Sequence, residues 1–477
     1  MSLADQLRAA PLVAAVRRAL GEGAWIVGGA VRDAALGREI ADLDLAVAGD
    51  PAVAARAVGA ELGEHAFELS AEFGTWRVVS SQGSGQIDLT ALRGGGIEAD
   101  LAARDFTVGA VAVPLAGGDP IDPFSGLADL DRRSLRVVGE RSFLDDPLRL
   151  LRAARLAVEL ELDVDAATAD LARAAAARAA DPAGERQLAE LRQLVGGPDP
   201  LRGLALLDEL GLTAVVLPEL EGLRGVEQGP NHHLDVHGHT LAVLEHTLEI
   251  EGDLDRFAAE RAGEVRELLA SPLGDEMSRG TALRFGALFH DIGKPATRGE
   301  RDGYVTFIGH DSEGAGIVDG ICDRLRASRR LSRHLRALTL HHLRLGFLIH
   351  EAPLGARRVH QYLRATEPVA ADVTLLTVAD RLSARGAGPL ARPEMVEAHL
   401  ALARQMVGAA LDWRRDGPPP PLIRGDELAT KLGIAEGPEL GELLAELEAA
   451  QYAGEVSDRE SAIVHARSWL QRAAREA

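Results

Sequence analysis

The stretch Trp25 to Val47, WIVGGAVRDAALGREIADLDLAV, limits what this chain can become more than any other. By residue type it is a short apolar strand (Trp25 to Val27), a Gly-Gly turn, a short helix carrying Arg32 and Asp33, and a second strand carrying Asp42 and Asp44. Residues two apart on a strand share a face, so Asp42 and Asp44 project together beside the turn. Two converging carboxylates make a poor core and a good seat for a divalent cation. Gly28 and Gly29 let backbone N–H groups approach an anion, and the following helix turns its positive end to the same spot. Phosphates on the glycines and metal on the aspartates describe a nucleotide-handling site. The blander reading is a Gly-rich turn before an edge strand with two solvated aspartates.

A chain of 477 residues has room for three or four domains. No uninterrupted apolar run approaches the roughly 20 residues of a membrane span, and MSLADQLRAAPLVAAVRRAL reads as an amphipathic helix, so a cytoplasmic protein without a membrane partner is expected. The single cysteine, Cys322, excludes an intrachain disulfide and a Cys-based zinc cluster, which leaves any metal to Asp, Glu and His. A net charge of -21 argues against coating nucleic acid nonspecifically, and no DNA partner is expected. RNA stays open, because Lys294 and Lys431 are the only lysines and nearly every cation is a guanidinium suited to bidentate phosphate and base contacts.

Beyond the aspartate strand, Pro51 to Leu62 reads as a helix, and Ala66 to Ser70, Thr75 to Ser81 and Gln86 to Leu92 alternate as strands. The pattern GG-x-V-R-D-x-x-L-G followed by D-x-D resembles the head of the CCA-adding enzyme and bacterial poly(A) polymerase family, the class II nucleotidyltransferases. The resemblance implies that Gly28, Gly29, Arg32 and Asp33 bind nucleotide and that Asp42 and Asp44 hold Mg2+. Asp88, in IDLTALR, is either a third catalytic carboxylate beside them or an ordinary strand-edge aspartate. Ala102 to Ala110, AARDFTVGA, is similar to the family's R-R-D-F-T-I-N-A, which assigns Arg104 and Asp105 to the nucleotide's sugar. Ala103 and Gly109 replace the motif's first arginine and its asparagine. Only Gly94 to Leu101 separates the Asp88 strand from this motif, where family members usually carry a longer flexible loop that helps switch from CTP to ATP. Short loops resemble those of CC-adding enzymes. In IDPFSGLADL, Asp122 and Asp129 read as structural.

In DDPLRLLRAARL, Asp145 to Leu156, Pro147 suits a helix's first turn and Arg149, Arg152 and Arg155 follow at a spacing of three. The stretch resembles the family's E-D-x-x-R-x-x-R. That likeness makes Asp146 and Arg149 an amino-acid template for the base edge, carboxylate accepting from an exocyclic amine and guanidinium donating to ring acceptors. Arg152 and Arg155 would hold triphosphate or brace the aspartates. Gly184 to Val195 and Pro200 to Leu220 read as helices.

A histidine-rich region follows. His239, the pair His290 and Asp291 before Lys294, His310, His341 with His342, and Asp380 fall on separate helical segments, the way a bundle assembles a hydrolytic metal site. The order H, HD, D resembles the HD phosphohydrolase superfamily. It implies that His239, His290, Asp291 and Asp380 ligate a divalent metal of unknown identity, with His310, His341 or His342 and Lys294 available for a second metal or a phosphate. His232, His233, His237 and His246 are expected at the surface or behind the ligands.

The expected architecture is an α+β nucleotidyltransferase head, a small mixed sheet with helices, at 1–140, followed by all-α parts: neck and body 141–228, HD domain 229–400, a helix end and Pro-rich linker 401–421, and a tail 422–477. The resemblance implies a template-independent tRNA nucleotidyltransferase adding C and A from CTP and ATP. CC-only, A-only and poly(A) products are alternatives, as is an HD phosphohydrolase with an inactive, RNA-binding head.

Overall fold

Strands β1 (Ala24–Val27), β2 (Asp42–Val47), β3 (Ala66–Ser70), β4 (Thr75–Ser80), β5 (Gly85–Ala91) and β6 (Ala112–Pro114) form one mixed sheet in the order β3-β4-β5-β2-β1-β6. Only β2 and β5 run parallel; the other neighbours are antiparallel. The computed structural model describes residues 3–40, 42–70, 74–80 and 85–476. The chain divides into two units, 1–216 and 217–477.

Alternation along the strands decides which face is which. Leu43, Leu45, Val78, Ile87 and Leu89 point to one face and are fully buried against helix Pro51–Leu62 and the two N-terminal helices. Burying each such side chain contributes roughly 1.5–3 kcal/mol. The other face carries Asp42, Asp44 and Asp88, and its small apolar cluster of Val27, Ala46, Leu101, Ala110 and Ala112 lies at the β1 and β6 end. One face is therefore core, while the other keeps its polar groups accessible.

Local chemistry sets the boundaries. Helix Pro51–Leu62 starts at Asp50, whose side chain accepts from Ala52 N at 2.8 Å, and stops at Gly63 in the left-handed region. The single N-terminal helix expected from the sequence is two, Leu3–Ala9 and Pro11–Leu20, because Pro11 begins a new helix as its first residue. The same rule moves the arginine helix: Asp146, before Pro147, is extended, and the helix runs Arg149–Glu159 after a short turn Ser142–Asp145. Pro200 to Leu220 is likewise three short helices, Pro200–Glu209, Thr213–Val216 and Pro218–Glu221, parted around Gly211 and Pro218.

The second unit is largely helical. Helices Val236–Gly252, Arg279–Phe289, His310–Arg324, Arg329–His341 and Ala370–Ser383 carry the histidines and aspartates, backed by the 24-residue helix Pro393–Asp416. In the tail, Leu440, Leu443 and Leu447 of helix Pro438–Tyr452 pack with Ile423, Leu428 and Ala462. No helix among the described residues is long and apolar enough to cross a membrane.

Candidate active sites

On the open face of the head sheet, Asp44 stands opposite Asp88 in the parallel register and Asp42 opposite Gln86. Asp42 accepts from Gln86 N at 3.2 Å and from Gln86 Nε2 at 3.3 Å. Asp88 is gripped at both oxygens by Arg77, Nε to Oδ1 and Nη2 to Oδ2, each at 2.7 Å. Gly28 adopts φ +67°, and a Cβ there would sit 2.9 Å from Asp44 Oδ2 and 3.1 Å from Arg104 Nη1. The Gly29 N–H faces Asp44 and works to lower its carboxyl, so the glycine turn lies against the carboxylate. Arg32 holds its neighbour Asp33 at 3.0 and 3.2 Å. Both side chains lie within about 4 Å of where a Gly29 Cβ would be, as does Asp44 Oδ2. Burial pushes the Asp44 carboxyl above its ordinary value, against the Arg104 charge, and Asp88 and Asp42 push the same way. A site of carboxylate oxygens with one member destabilised by its like neighbours suits a hard divalent cation.

Arg104 donates Nε and Nη2 to Asp100 Oδ2, both at 3.2 Å, and Nη1 to Gly109 O at 3.3 Å. Asp105 is held by Arg152 Nε at 2.7 Å and by the Phe106 N–H at 2.8 Å. Arg149 donates to Ala103 O at 2.8 Å and to Ser142 Oγ at 3.0 Å. Asp146 accepts from Leu148 N at 3.1 Å and Arg186 Nη2 at 3.2 Å. Arg155 does not join this group. It is buried, with Nε on Glu190 and Nη1 on Glu159, both at 2.6 Å, because a helix turns 100° per residue and the third arginine has rotated into the core.

In the second unit Asp291 is the hub. His290 Nε2 lies 3.1 Å and His239 Nε2 3.5 Å from its Oδ2, while His310 Nε2 lies 3.2 Å and His342 Nε2 3.7 Å from its Oδ1. His239, His290 and Asp380 converge as one set of potential ligands, and Asp291, His310 and His342 as another. The Nδ1 atoms of His290, His310 and His342 each face a carbonyl three residues back, Ala287, Phe307 and Thr339, at 2.6–2.8 Å, which turns the Nε2 atoms inward. His239 Nε2 and His290 Nε2 are buried without a well-formed hydrogen bond. Burial lowers the His239 imidazole despite the Asp380 carboxylate 3.1 Å from its Nε2, and burial with the His290 charge pushes His342 down to about 4. Inward-turned imidazoles with the buried Asp291 and the half-buried Asp380 carboxylates fit one or two divalent metals. His341 is not among them: its Nδ1 accepts from Arg344 Nε at 3.0 Å. Lys294 Nζ lies 2.6 Å from Asp291 Oδ2 and 2.6 Å from Gln228 Oε1. His237 and His246 are buried rather than superficial, and the His232 ring lies 4.5 Å from that of His239.

Sequence reasoning missed Arg77 and Asp100. The β4–β5 register, with Arg77 opposite Asp88, is a signal for the first. Asp100, buried on helix Ile97–Ala102 four residues before Arg104, is the second; the spacing is that of helical ion pairs.

Three family models match in chain order: poly A polymerase head domain at residues 24–136, the probable RNA and SrmB-binding site of polymerase A at 161–223, and HD domain at 236–385. The A-adding tRNA nucleotidyltransferase of Deinococcus radiodurans is 36% identical over 456 residues, covering 94% of this chain and 96% of the relative. The CC-adding tRNA nucleotidyltransferase of Thermus thermophilus is 34% identical, covering 95% of each. Among solved structures, a CCA-adding enzyme complexed with ATP superposes with a TM-score of 0.62 at 20% identity, covering 98% of this chain and 95% of that one. The Thermotoga maritima CCA-adding enzyme complexed with tRNA gives 0.58 at 20%, covering 98% and 99%. With the likeness running through head, RNA-binding segment and HD segment over nearly its whole length, the chain belongs to the class II CCA-adding enzyme and poly(A) polymerase family, as a tRNA nucleotidyltransferase carrying an HD domain.

Proposed function

We propose that the head extends the tRNA 3′ end, the terminal 3′-hydroxyl attacking the α-phosphate of a nucleoside triphosphate and pyrophosphate leaving. The observation that carries this is the convergence of Asp42, Asp44 and Asp88 on one sheet face beside the Gly28–Gly29 turn. When bound there, Mg2+ would supply charge stabilisation for the entering and leaving oxygens. Arg32 and Arg104 flank the carboxylates as cations for the triphosphate, and Arg152 fixes Asp105 toward the sugar. Asp146 and Arg149 read the base edge, Arg149 from a guanidinium anchored on main-chain and hydroxyl oxygens.

Our reading of the product is supported by the connection after β5. Arg93 N and Nε donate to Asp100 Oδ1 at 3.3 and 2.9 Å, and Asp100 also holds Arg104. A short segment tied to the same carboxylate as a site arginine suits one nucleotide mode, and its likeness to the short loops of CC-adding enzymes supports addition of the two C residues from CTP as our first reading. Addition of A is the second reading, which the A-adding Deinococcus relative favours, and complete CCA from CTP and ATP is the third outcome of the same assay. Offering tRNAs ending before C, after C and after CC, with CTP, ATP or both, separates them on a gel. Arrest after CC supports the proposal, and extension of the CC end by ATP overturns it.

The HD cluster supports a metal-dependent phosphohydrolase acting on phosphate esters, and the domain limits expected from the sequence remain our proposal for how the chain is partitioned. Phosphate release should survive Asp44→Ala and vanish in Asp291→Ala. Loss in both variants would refute a separate second site.

A further inference from the structure

The row of residues that crosses the open face of the head sheet does not end at the carboxylates. In register it runs Val27, Asp44, Asp88, Arg77, Phe67, from β1 out to the edge strand β3. Phe67 is 46% exposed and Val79, on the same face of β4, is 49% exposed. Their strand neighbours Val78 and Trp76 face the other way, Val78 into the core and Trp76 under the Arg56 guanidinium. The exposed pair is therefore not an overflow of the core. It continues the surface on which the carboxylates stand.

Resting on the transferase reading, we propose that this strip is the seat of the RNA acceptor end: Phe67 stacks a base at or next to the 3′ terminus, and Arg77 takes the adjoining backbone phosphate. Three strand spacings of about 4.8 Å separate Phe67 from Asp44, roughly 14 Å in all, along the same face. A single-stranded end needs an aromatic surface for a base and a cation for a phosphate, and every base offers a π-face. Arg77 spends Nε and Nη2 on Asp88, and among the described residues no hydrogen bond takes its Nη1. The same guanidinium, a quarter exposed, thus steadies a catalytic carboxylate and keeps a donor for a phosphate. Arg77 is a positioning residue for Asp88, and Phe67 binds RNA without touching the reacting atoms.

The test uses the full chain and a tRNA ending where the wild type extends it, alongside the same RNA with its terminal or its penultimate base removed. Phe67→Ala should raise KM for the intact RNA by about 5- to 150-fold, the range expected from losing one base–aromatic stack, with kcat at saturating RNA and KM for the nucleotide within about twofold. Phe67→Tyr should restore the RNA KM. Against one of the two abasic RNAs, the wild type and Phe67→Ala should bind alike, a result that mere structural damage would not give. An unchanged RNA KM in Phe67→Ala overturns the inference while leaving the transferase reading intact. So does an equal loss on intact and both abasic ends, or an altered sedimentation of the variant that marks the strip as a contact between copies. Failure of the wild type to extend any RNA refutes the transferase reading, and the inference falls with it.

Discussion

Gly28→Ala separates what the glycine turn does for the fold from what it does for chemistry. Gly28 has φ +67° and ψ −131°, a conformation that an L side chain adopts at a cost of about 1–3 kcal/mol. For a unit of this size that should lower Tm by roughly 2–4 °C per kcal/mol. The new Cβ would meet Asp44 Oδ2 at 2.9 Å and Arg104 Nη1 at 3.1 Å, where 3.4 Å is the lower edge of ordinary contact. Both are side-chain ends, so the fold survives by moving the groups that the reaction needs. A misplacement near 1 Å can cost about a hundredfold, so a shift of half that should lower kcat by about tenfold. Gly29→Ala is the contrast: its Cβ would meet nothing nearer than 3.7 Å, and it lies in helical backbone, so its Tm should fall less. The assays are single-nucleotide extension at saturating triphosphate and thermal unfolding followed by circular dichroism. Transfer within twofold of wild type in Gly28→Ala would refute the argument that this turn seats Asp44 and Arg104.

Three further outcomes are expected. Arg155→Ala removes the partner of buried Glu190 and should destabilise the chain by about 3–5 kcal/mol while leaving KM for the triphosphate unchanged; a raised KM in thermally intact protein would return Arg155 to the nucleotide site. Asp129, buried, accepts from Thr107, Arg132 and Arg136. Burial works to raise its carboxyl, but these bonds hold it below 3.8, so its contribution is full above that pH and is lost as pH falls through the lower folded value. Asp129→Asn should therefore be less stable at neutral pH, by about 1.5–3 kcal/mol, with the gap narrowing as pH falls below 3.8; a gap that does not narrow in acid would refute the charge argument. In metal titrations followed by elemental analysis after gel filtration, His239→Ala should retain less divalent metal than wild type and His341→Ala as much, because only His239 faces the cluster.

Much of the head was legible in the sequence because its signals are periodic or punctuating. Alternation gave β3, β4 and β5 to within a residue, apart from Ser81, which lies outside the described residues, whereas β6 was not expected; Asp50, Pro51 and Gly63 bracketed a helix, and D-x-D necessarily places two carboxylates on one face. Proline effects were under-read. Pro11 and Pro147 each start new backbone, so the N-terminal helix divides in two and the arginine helix begins at Arg149. What stayed hidden depended on pairs remote in sequence: Arg77 with Asp88 needs the hairpin register, and Arg155 with Glu190 needs the packing of two helices. Among the histidines, motif order gave the HD pair and Asp380. Choosing His342 over His341 required knowing that adjacent helical residues point about 100° apart.

The two departures from the R-R-D-F-T-I-N-A motif have a physical reading in the same contacts. Residue 103 supplies its carbonyl to Arg149 at 2.8 Å, and an alanine provides that acceptor as well as an arginine would, so the Arg149 guanidinium does not lose its anchor. At 109, a Cβ would lie 3.7 Å from Asp105 Oδ1, so an asparagine there could reach the Asp105 carboxylate. With glycine in place, Asp105 is held by Arg152 at 2.7 Å and by its neighbour's N–H, and Gly109 gives its carbonyl to Arg104. The burden of orienting Asp105 has thus passed to Arg152. Arg152→Ala should release Asp105 and raise KM for the triphosphate, and restoring asparagine in Arg152→Ala with Gly109→Asn should recover part of the loss. If the double variant is no better than Arg152→Ala alone, residue 109 does not act through Asp105.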